Sequence, residues 1–171
     1  MSTYQSPLAV IVKGAIAGAA GTAVMGVAME QLPSLLAQYG IRLPPEGPGP
    51  AEPDTPTEEM AERVVEGVAH QPLDEEVKPL AGQAVHWAYG AAWGAAYGVM
   101  QSTLKLPHLV HGTLFGALVG VVAETVVPAM RLQRSPATNP PQINALHFGS
   151  HIIFGWATAL TYAILNLGRR G

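Results

Sequence analysis

The sequence predicts an all-α membrane protein with four transmembrane helices and one short surface helix. Three observations support this class. Charged residues make up 12% of the 171 residues, about half the share of a typical soluble domain. Residues 31–79 contain ten of the twelve acids and three of the nine bases, so the rest of the chain carries little charge. Four apolar stretches in that remainder are long enough to cross a bilayer.

The predicted spans cover residues 8–29, 80–101, 109–130 and 145–167. A helix rises about 1.5 Å per residue, so about 20 residues cross the hydrocarbon core. A transmembrane barrel is excluded because the stretches lack ten-residue alternation. Residues 1–171 are therefore predicted to form a single membrane domain. A cleaved secretory signal is the alternative for the first stretch, but no basic residue precedes it and Lys13 lies within it.

The first connection, residues 31–79, is predicted to lie outside the membrane as an acidic strap followed by a helix. Six prolines in residues 44–56 exclude regular helix there. Thr55 and Glu58 then match a capping box, the signature of a helix start. The pattern predicts a short amphipathic surface helix over residues 56–70, packed across the mouth of the bundle or against a partner.

The other connections are short and predict which helices are neighbours. Residues 102–108 are too few to allow anything but an antiparallel arrangement of the second and third spans. Residues 131–144 form a polar, proline-rich link. Because the number of spans is even, both termini lie on one side of the membrane. We predict the cytoplasmic side, since long acidic segments are translocated regardless of their charge.

An internal duplication is indicated by one motif. The pattern His-x3-Gly-x6-Tyr begins at His86 and recurs at His151, an offset of 65 residues. The first and third spans also share the spacing of their glycines. The sequence therefore predicts two duplicated helical hairpins, related by an axis along the membrane normal.

Glycines recur at every fourth position of three spans. Small residues on one face let helix backbones approach closely, which matters in lipid because there is no hydrophobic drive between helices. These faces are predicted to drive assembly into a homo-oligomer or a larger membrane complex, in contact with membrane lipid. The repeats are Gly14 and Gly18 in the first span, Gly90, Gly94 and Gly98 in the second, and Gly112, Gly116 and Gly120 in the third.

Five ionisable residues are predicted to meet at one end of the bundle. Glu30 and Glu124 stand late in the first and third spans. His86, His147 and His151 stand early in the second and fourth. Ionisable groups within a span are costly, so they are expected to face the interior and pair. They would act as hydrogen-bonded struts, as a set that handles protons or binds a divalent metal ion, or, through two imidazoles, as axial ligands of haem b.

Several function classes are excluded or unsupported. The absence of cysteine rules out disulfides, thiolate zinc sites and iron-sulfur clusters. A net charge of −3 without a basic cluster excludes nucleic acid as a partner. No Gly-x-Ser-x-Gly motif supports an enzyme. His108 and His111 flank a short turn and are predicted to be surface residues. We therefore predict a non-enzymatic accessory or scaffold protein that requires no cofactor.

Four short segments carry a resemblance to a known family. They are the glycine-rich residues 14–26, His-Trp-Ala-Tyr-Gly at 86–90, residues 112–128, and His-Phe-Gly-Ser-His at 147–151. In these segments the chain resembles the YagU-like family of small bacterial inner-membrane proteins. The resemblance covers the four spans and not the proline-rich strap. It implies a multi-pass protein of the bacterial inner membrane with a histidine-bearing bundle, and it supplies no reaction.

Overall fold

The computed structural model describes residues 6–44 and 54–167. These residues form helices and contain no strand, which confirms the predicted all-α class. Most of the predicted proline-rich strap at residues 44–56 lies outside the described residues. The helices are α1 (Pro7–Gln38), α2 (Pro56–Ala69), α3 (Lys78–Leu104), α4 (His108–Ala129) and α5 (Pro141–Ile164), with a short 3-10 helix at Pro136–Thr138.

The four long helices correspond to the four predicted spans, with shifted ends. α1 continues past residue 29 to Gln38, through Pro33. α5 begins at Pro141, four residues before the predicted start, because proline is favoured in the first turn of a helix. Two helices, α1 and α4, are long and apolar enough to cross a membrane. α3 and α5, which are also long enough, are not among these two helices.

The long helices form an antiparallel bundle in which α1 packs against α3 and α5, and α4 packs against α5. The backbones of α3 and α4 approach each other at few positions, although a three-residue link joins them. Large side chains fill the space between these two helices. The Phe115 ring lies 6.0 Å from that of Trp93 and 5.1 Å from that of Tyr97. Thus the predicted neighbours α3 and α4 are in contact, but through aromatic rings.

Glycines make the tight sides of the bundle. A Cβ atom on Gly18 would lie 2.6 Å from the Cα atom of Gly94, and one on Gly112 would lie 2.8 Å from the carbonyl oxygen of Gly155. Both distances are shorter than real Cβ atoms approach, so a side chain at either position would force the backbones apart. The glycine faces identified in the sequence are therefore used between helices of the same chain.

The two tight crossings resemble each other. Gly14 lies against the carbonyl of Gly94, and Gly112 lies in the same way against the carbonyl of Gly155. These contacts relate α1 to α4 by an offset of 98 residues and α3 to α5 by 61. The His-x3-Gly-x6-Tyr motif relates α3 to α5 with an offset of 65 residues, four more than these contacts do. Relative to the two crossings, His86 and His151 therefore lie about one helical turn apart.

α2 lies at one end of the bundle, against the start of α3 and the end of α4. Its capping box is present: the Thr55 backbone N–H donates to Glu58 Oε2 at 2.7 Å, and the Glu58 backbone N–H donates to Thr55 Oγ1 at 3.3 Å. Arg63 Nη1 donates to the Met130 carbonyl at 2.6 Å, and Nη2 donates to the Arg131 carbonyl at 3.0 Å. α2 also packs against α3. It therefore bridges the start of α3 and the end of α4.

Lys13 ties together the opposite end of the bundle. Its Nζ donates to the Leu165 carbonyl at 2.7 Å and to Asn166 Oδ1 at 2.8 Å. A cation is favourable at the last carbonyls of a helix, where the backbone dipoles leave negative charge. The charge within the first predicted span is thus satisfied at the end of α5.

Candidate functional site

His151 is the centre of the predicted histidine and glutamate group. Its Nδ1 donates to the His147 carbonyl at 2.9 Å. Because a carbonyl can only accept, Nδ1 carries the proton and the neutral ring keeps its lone pair on Nε2. The side chain interacts electrostatically with His86 of α3 and with Glu124 of α4. Three helices thus bring His86, Glu124 and His151 together.

Glu30 does not share this position. It is exposed near the end of α1, and within the described part of the chain its carboxylate does not join the interactions of His151. The five predicted residues do not form a group whose ligand atoms all lie within 4.8 Å of one another. Among the described residues, such a group of three or more potential metal ligands occurs at Asp54, Glu59 and Glu62. The histidines are therefore neighbours that are not gathered into a closed ligand set.

The three carboxylates of this acidic group already pair with cations: Glu59 with Arg63, and Asp54 and Glu62 with Lys78. Lys78 Nζ lies 2.9 Å from Glu75 Oε1, 3.1 Å from Glu62 Oε2 and 3.2 Å from Asp54 Oδ2. The Lys78 side chain is only 7% exposed. Hydrogen bonds to Glu75 and then Glu62 hold the pKa of Lys78 well above its usual range. The group is therefore an ion-pair network that joins the end of the strap and α2 to the first residue of α3.

A second polar group lies at the opposite end of the bundle and was missed by the sequence reasoning. His111 was predicted to be a surface residue, which is wrong: it is 1% exposed. Tyr97 and Gln101 of α3 are buried beside it. The signal was available in the sequence, since His111, Phe115 and Val119 recur every four residues and form the buried face of α4.

Gln101 organises this second group. Its Nε2 donates to the Leu106 carbonyl at 2.9 Å, so the side-chain oxygen Oε1 faces the interior. Oε1 accepts a hydrogen bond from the Tyr97 hydroxyl at 3.4 Å and another from Nδ1 of His111. The Tyr97 ring packs on the imidazole, with the ring centroids 4.6 Å apart. The position of His111 is therefore fixed by hydrogen bonding at one edge and by packing on one face.

An aromatic layer separates the two polar groups. The rings of Phe115 and Phe154 stack with centroids 6.1 Å apart, and Trp93 packs edge-on against Phe115. Along α3 and α5 these rings lie between the histidines near the α2 end and the tyrosines near the other end. The bundle therefore holds two separate polar groups with apolar packing between them.

The chain matches no family model, no curated protein and no solved structure. The resemblance to the YagU-like family thus stays a prediction from the short segments described above. The function is accordingly proposed from the geometry of the residues themselves.

Proposed function

We propose that this protein is a four-span integral membrane protein with a non-enzymatic accessory or scaffold role in the bacterial inner membrane. One observation carries the membrane assignment: the bundle exposes aliphatic side chains and buries glycines. In water, extensive apolar surface of this kind promotes aggregation. In lipid the same apolar surface contacts hydrocarbon and does not promote aggregation, and the small residues inside the bundle let its helices pack closely.

The exposed apolar residues follow all four long helices. Because each helix contributes some of them, they surround the bundle, whereas a binding patch would lie on one side. Lipid chains are the surroundings that such a surface fits. The residues include Leu8, Ile16 and Val27 of α1, Leu80 and Val99 of α3, Leu114, Leu118 and Val121 of α4, and Leu160 and Ile164 of α5.

Charged residues support the same interpretation by their positions. Within the described residues, α2 and the links around it lie at one end of the bundle, and Lys13 and Lys105 lie at the other. Glu124 interacts with His151 inside the bundle. This separation leaves an apolar band between two polar ends, which is the pattern of a membrane-spanning bundle.

The glycine faces have a narrower role in this proposal than the sequence indicated. Since they pack α1 against α3 and α4 against α5, they build the bundle of a single chain. Contacts with a second copy, or with other subunits of a membrane complex, would use the outer surface or α2. The scaffold role therefore depends on surfaces other than these glycine faces.

Cysteine labelling tests the four-span arrangement directly, because the natural chain has no cysteine. Single cysteines would be placed at Gln71 and Ala137, near α2, and at Lys105 and Leu167, at the other end. All four positions are exposed. A membrane-impermeant maleimide on sealed vesicles should label the first pair from one side and the second pair from the other.

Two results would contradict the proposal. Labelling of all four cysteines from the same side would mean that the helices do not cross. Release of the chain from membranes by alkaline carbonate would mean that it is not integral. A control in detergent, where all four positions should react, shows that each cysteine is accessible.

A second function, metal or proton handling at the α2 end, is favoured by one observation. His151 interacts electrostatically with His86 and with Glu124, and its Nδ1 is held by a backbone carbonyl, which leaves the lone pair on Nε2. Such a carbonyl contact is how proteins orient metal-binding histidines. Haem b held by the same imidazoles is the less supported form of this alternative.

Elemental analysis and a visible spectrum of the purified full chain test this alternative. Stoichiometric metal, or a Soret band, should be lost in a His151→Gln variant. His70→Gln, at the exposed end of α2, should keep it. Protein that contains neither metal nor haem would contradict both of these forms and leave the scaffold role.

A further inference from the structure

The interior nitrogen of His111 is a buried polar atom without a hydrogen-bond partner in the described part of the chain. The residue is 1% exposed, and its Nε2 atom lies in the core. A buried polar atom that loses its water and gains no partner destabilises the fold. Such atoms are rare in native proteins, and a bound ion is one of the few explanations for them. His111 therefore points to a ligand.

The hydrogen bonds around His111 determine what kind of ligand fits. The Leu106 carbonyl orients the Gln101 amide, so Gln101 Oε1 can only accept and Nδ1 of His111 must donate. The neutral ring then has its lone pair on Nε2. A lone pair held in this way suits an electron-pair acceptor, and a donor contact at the other nitrogen is typical of metal-binding histidines.

A second imidazole, that of His108, lies one helical turn away. His108 precedes His111 by three residues, so both side chains lie on the same side of α4. The two side chains interact electrostatically. The Tyr97 ring packed on His111 keeps the imidazole from rotating away. The pair thus places two imidazoles close together at the end of the bundle opposite α2.

The charge around this pair favours an ion of low charge. The acids of the described residues lie in α2 and the links around it or late in α1 and α4, all at the other end. Lys105, in the link next to His108, adds a positive charge. The cost of burying an ion grows steeply with its charge. Imidazole is a good ligand for copper, so the monovalent form, Cu(I), fits best.

We propose that His111, through Nε2, and His108 bind Cu(I) at this end of the bundle. The site is separate from the histidines near α2 and goes beyond the scaffold role. Gln101 is a positioning residue in it, since its oxygen holds the imidazole. Packing of Tyr97 on the ring and the hydrogen bond from Gln101 present the lone pair before the ion arrives.

Titration of the detergent-purified full chain with Ag(I), a redox-inert substitute for Cu(I), tests the site. The wild type should bind one equivalent, and Cu(I) held reduced should compete for it. His111→Gln should weaken binding at least tenfold, while His70→Gln, at the exposed end of α2, should leave it unchanged. Equal affinity in the wild type and the His111→Gln variant would overturn the proposal, as would loss of binding in the His151→Gln variant alone.

Two further measurements keep the test decisive if His111→Gln fails to fold. Gln101→Leu keeps both imidazoles and removes the orienting hydrogen bond, so it should weaken Ag(I) binding several-fold. Nitrogen NMR of histidine-labelled wild type, assigned by variants of the other five histidines, should show Ag(I) shifting the Nε2 resonance of His111. Shifts confined to His86 and His151 would contradict the proposed site and would favour the site near α2.

Discussion

At the residue scale, Gly94 sets the distance between α1 and α3. A Cβ atom there would lie 2.5 Å from the backbone nitrogen of Gly18 and would also meet its Cα atom. Backbone atoms cannot move aside as the end of a side chain can. Each glycine of this crossing is therefore required for close approach, and its conformational freedom is not what the fold uses.

We expect Gly94→Ala to destabilise the protein by about 1–3 kcal/mol, the usual cost of overpacking. Gly26→Ala is the matched control, because a Cβ there meets nothing within 4 Å. Alanine should stabilise that exposed part of α1 by about 0.5–1 kcal/mol through helix propensity. Thermal unfolding in detergent measures both, and equal shifts of the two variants would contradict the close crossing.

Lys78 is the second decisive residue, because its ammonium group pairs with the carboxylates of Asp54, Glu62 and Glu75. Its raised pKa keeps it charged across the range in which most proteins are studied. For a group whose pKa is raised by folding, the stabilisation is complete below the pKa of the unfolded chain and is lost as the pH rises through the folded value. Its contribution should therefore be constant from about pH 6 to 9.

Lys78→Met should expose the repulsion between Asp54, Glu62 and Glu75. The variant should unfold at a lower temperature than the wild type, by the same margin throughout that pH range. Millimolar Ca²⁺, which prefers carboxylate oxygens, should restore stability to the variant and leave the wild type unchanged. A wild type stabilised as much as the variant would show that the lysine does not occupy the group.

At the element scale, α2 is held by packing against α3, by Arg63 and by the ion pairs of Lys78. Arg63 is held by Glu59 at 2.8 Å in its own helix and donates to two carbonyls at the end of α4. Those carbonyls have no partner within the helix. The guanidinium therefore connects α2, which packs on α3, to the end of α4 as well.

Arg63→Met should loosen α2 while leaving the bundle intact. Methionine keeps the length of the side chain and removes its donors, at a cost of about 1–3 kcal/mol for hydrogen bonds to a charged group. Amide hydrogen exchange should accelerate in residues 56–69 and stay unchanged in α4. Glu66→Gln, on the exposed side of the same helix, is the control, and equal exchange in both variants would contradict the role of Arg63.

At the scale of the whole molecule, the distribution of residues separates a membrane bundle from a water-soluble one. Substituting an exposed apolar residue with a charge makes a soluble protein more soluble, but it is costly in lipid. Two exposed apolar residues should respond differently to such a substitution. Leu118 is 44% exposed near the middle of α4, and Val68 is 80% exposed on α2. The first would face lipid chains, and the second would lie outside the membrane.

Leu118→Asp should therefore lower the amount of protein in the membrane fraction, since a charge at the centre of a span costs about 2.5–3.5 kcal/mol on insertion. Val68→Asp should leave that amount unchanged. Membrane yield and thermal stability in detergent measure the difference. Improved solubility and full stability in both variants would count against four membrane spans.

Local features of the sequence were the most predictable. The capping box of α2 involves residues three apart, so its chemistry is complete in the sequence. The apolar stretches of α1 and α4 were equally clear. The ends of α1 were less predictable, because Pro33 removes only one hydrogen bond from a helix that otherwise continues. The group around His151 followed from helix direction, while the exposure of Glu30 depended on how α1 is rotated.

The sequence by itself determined the all-α class, the order of the helices and the end at which the acids gather, because these follow from composition and from contacts between residues close in the chain. Only the tertiary structure decided that Gly94 meets Gly18, that Lys78 fills the acidic group and that His111 is buried with an unused nitrogen. Each of these depends on the approach of helices that are far apart in sequence, which no local pattern specifies.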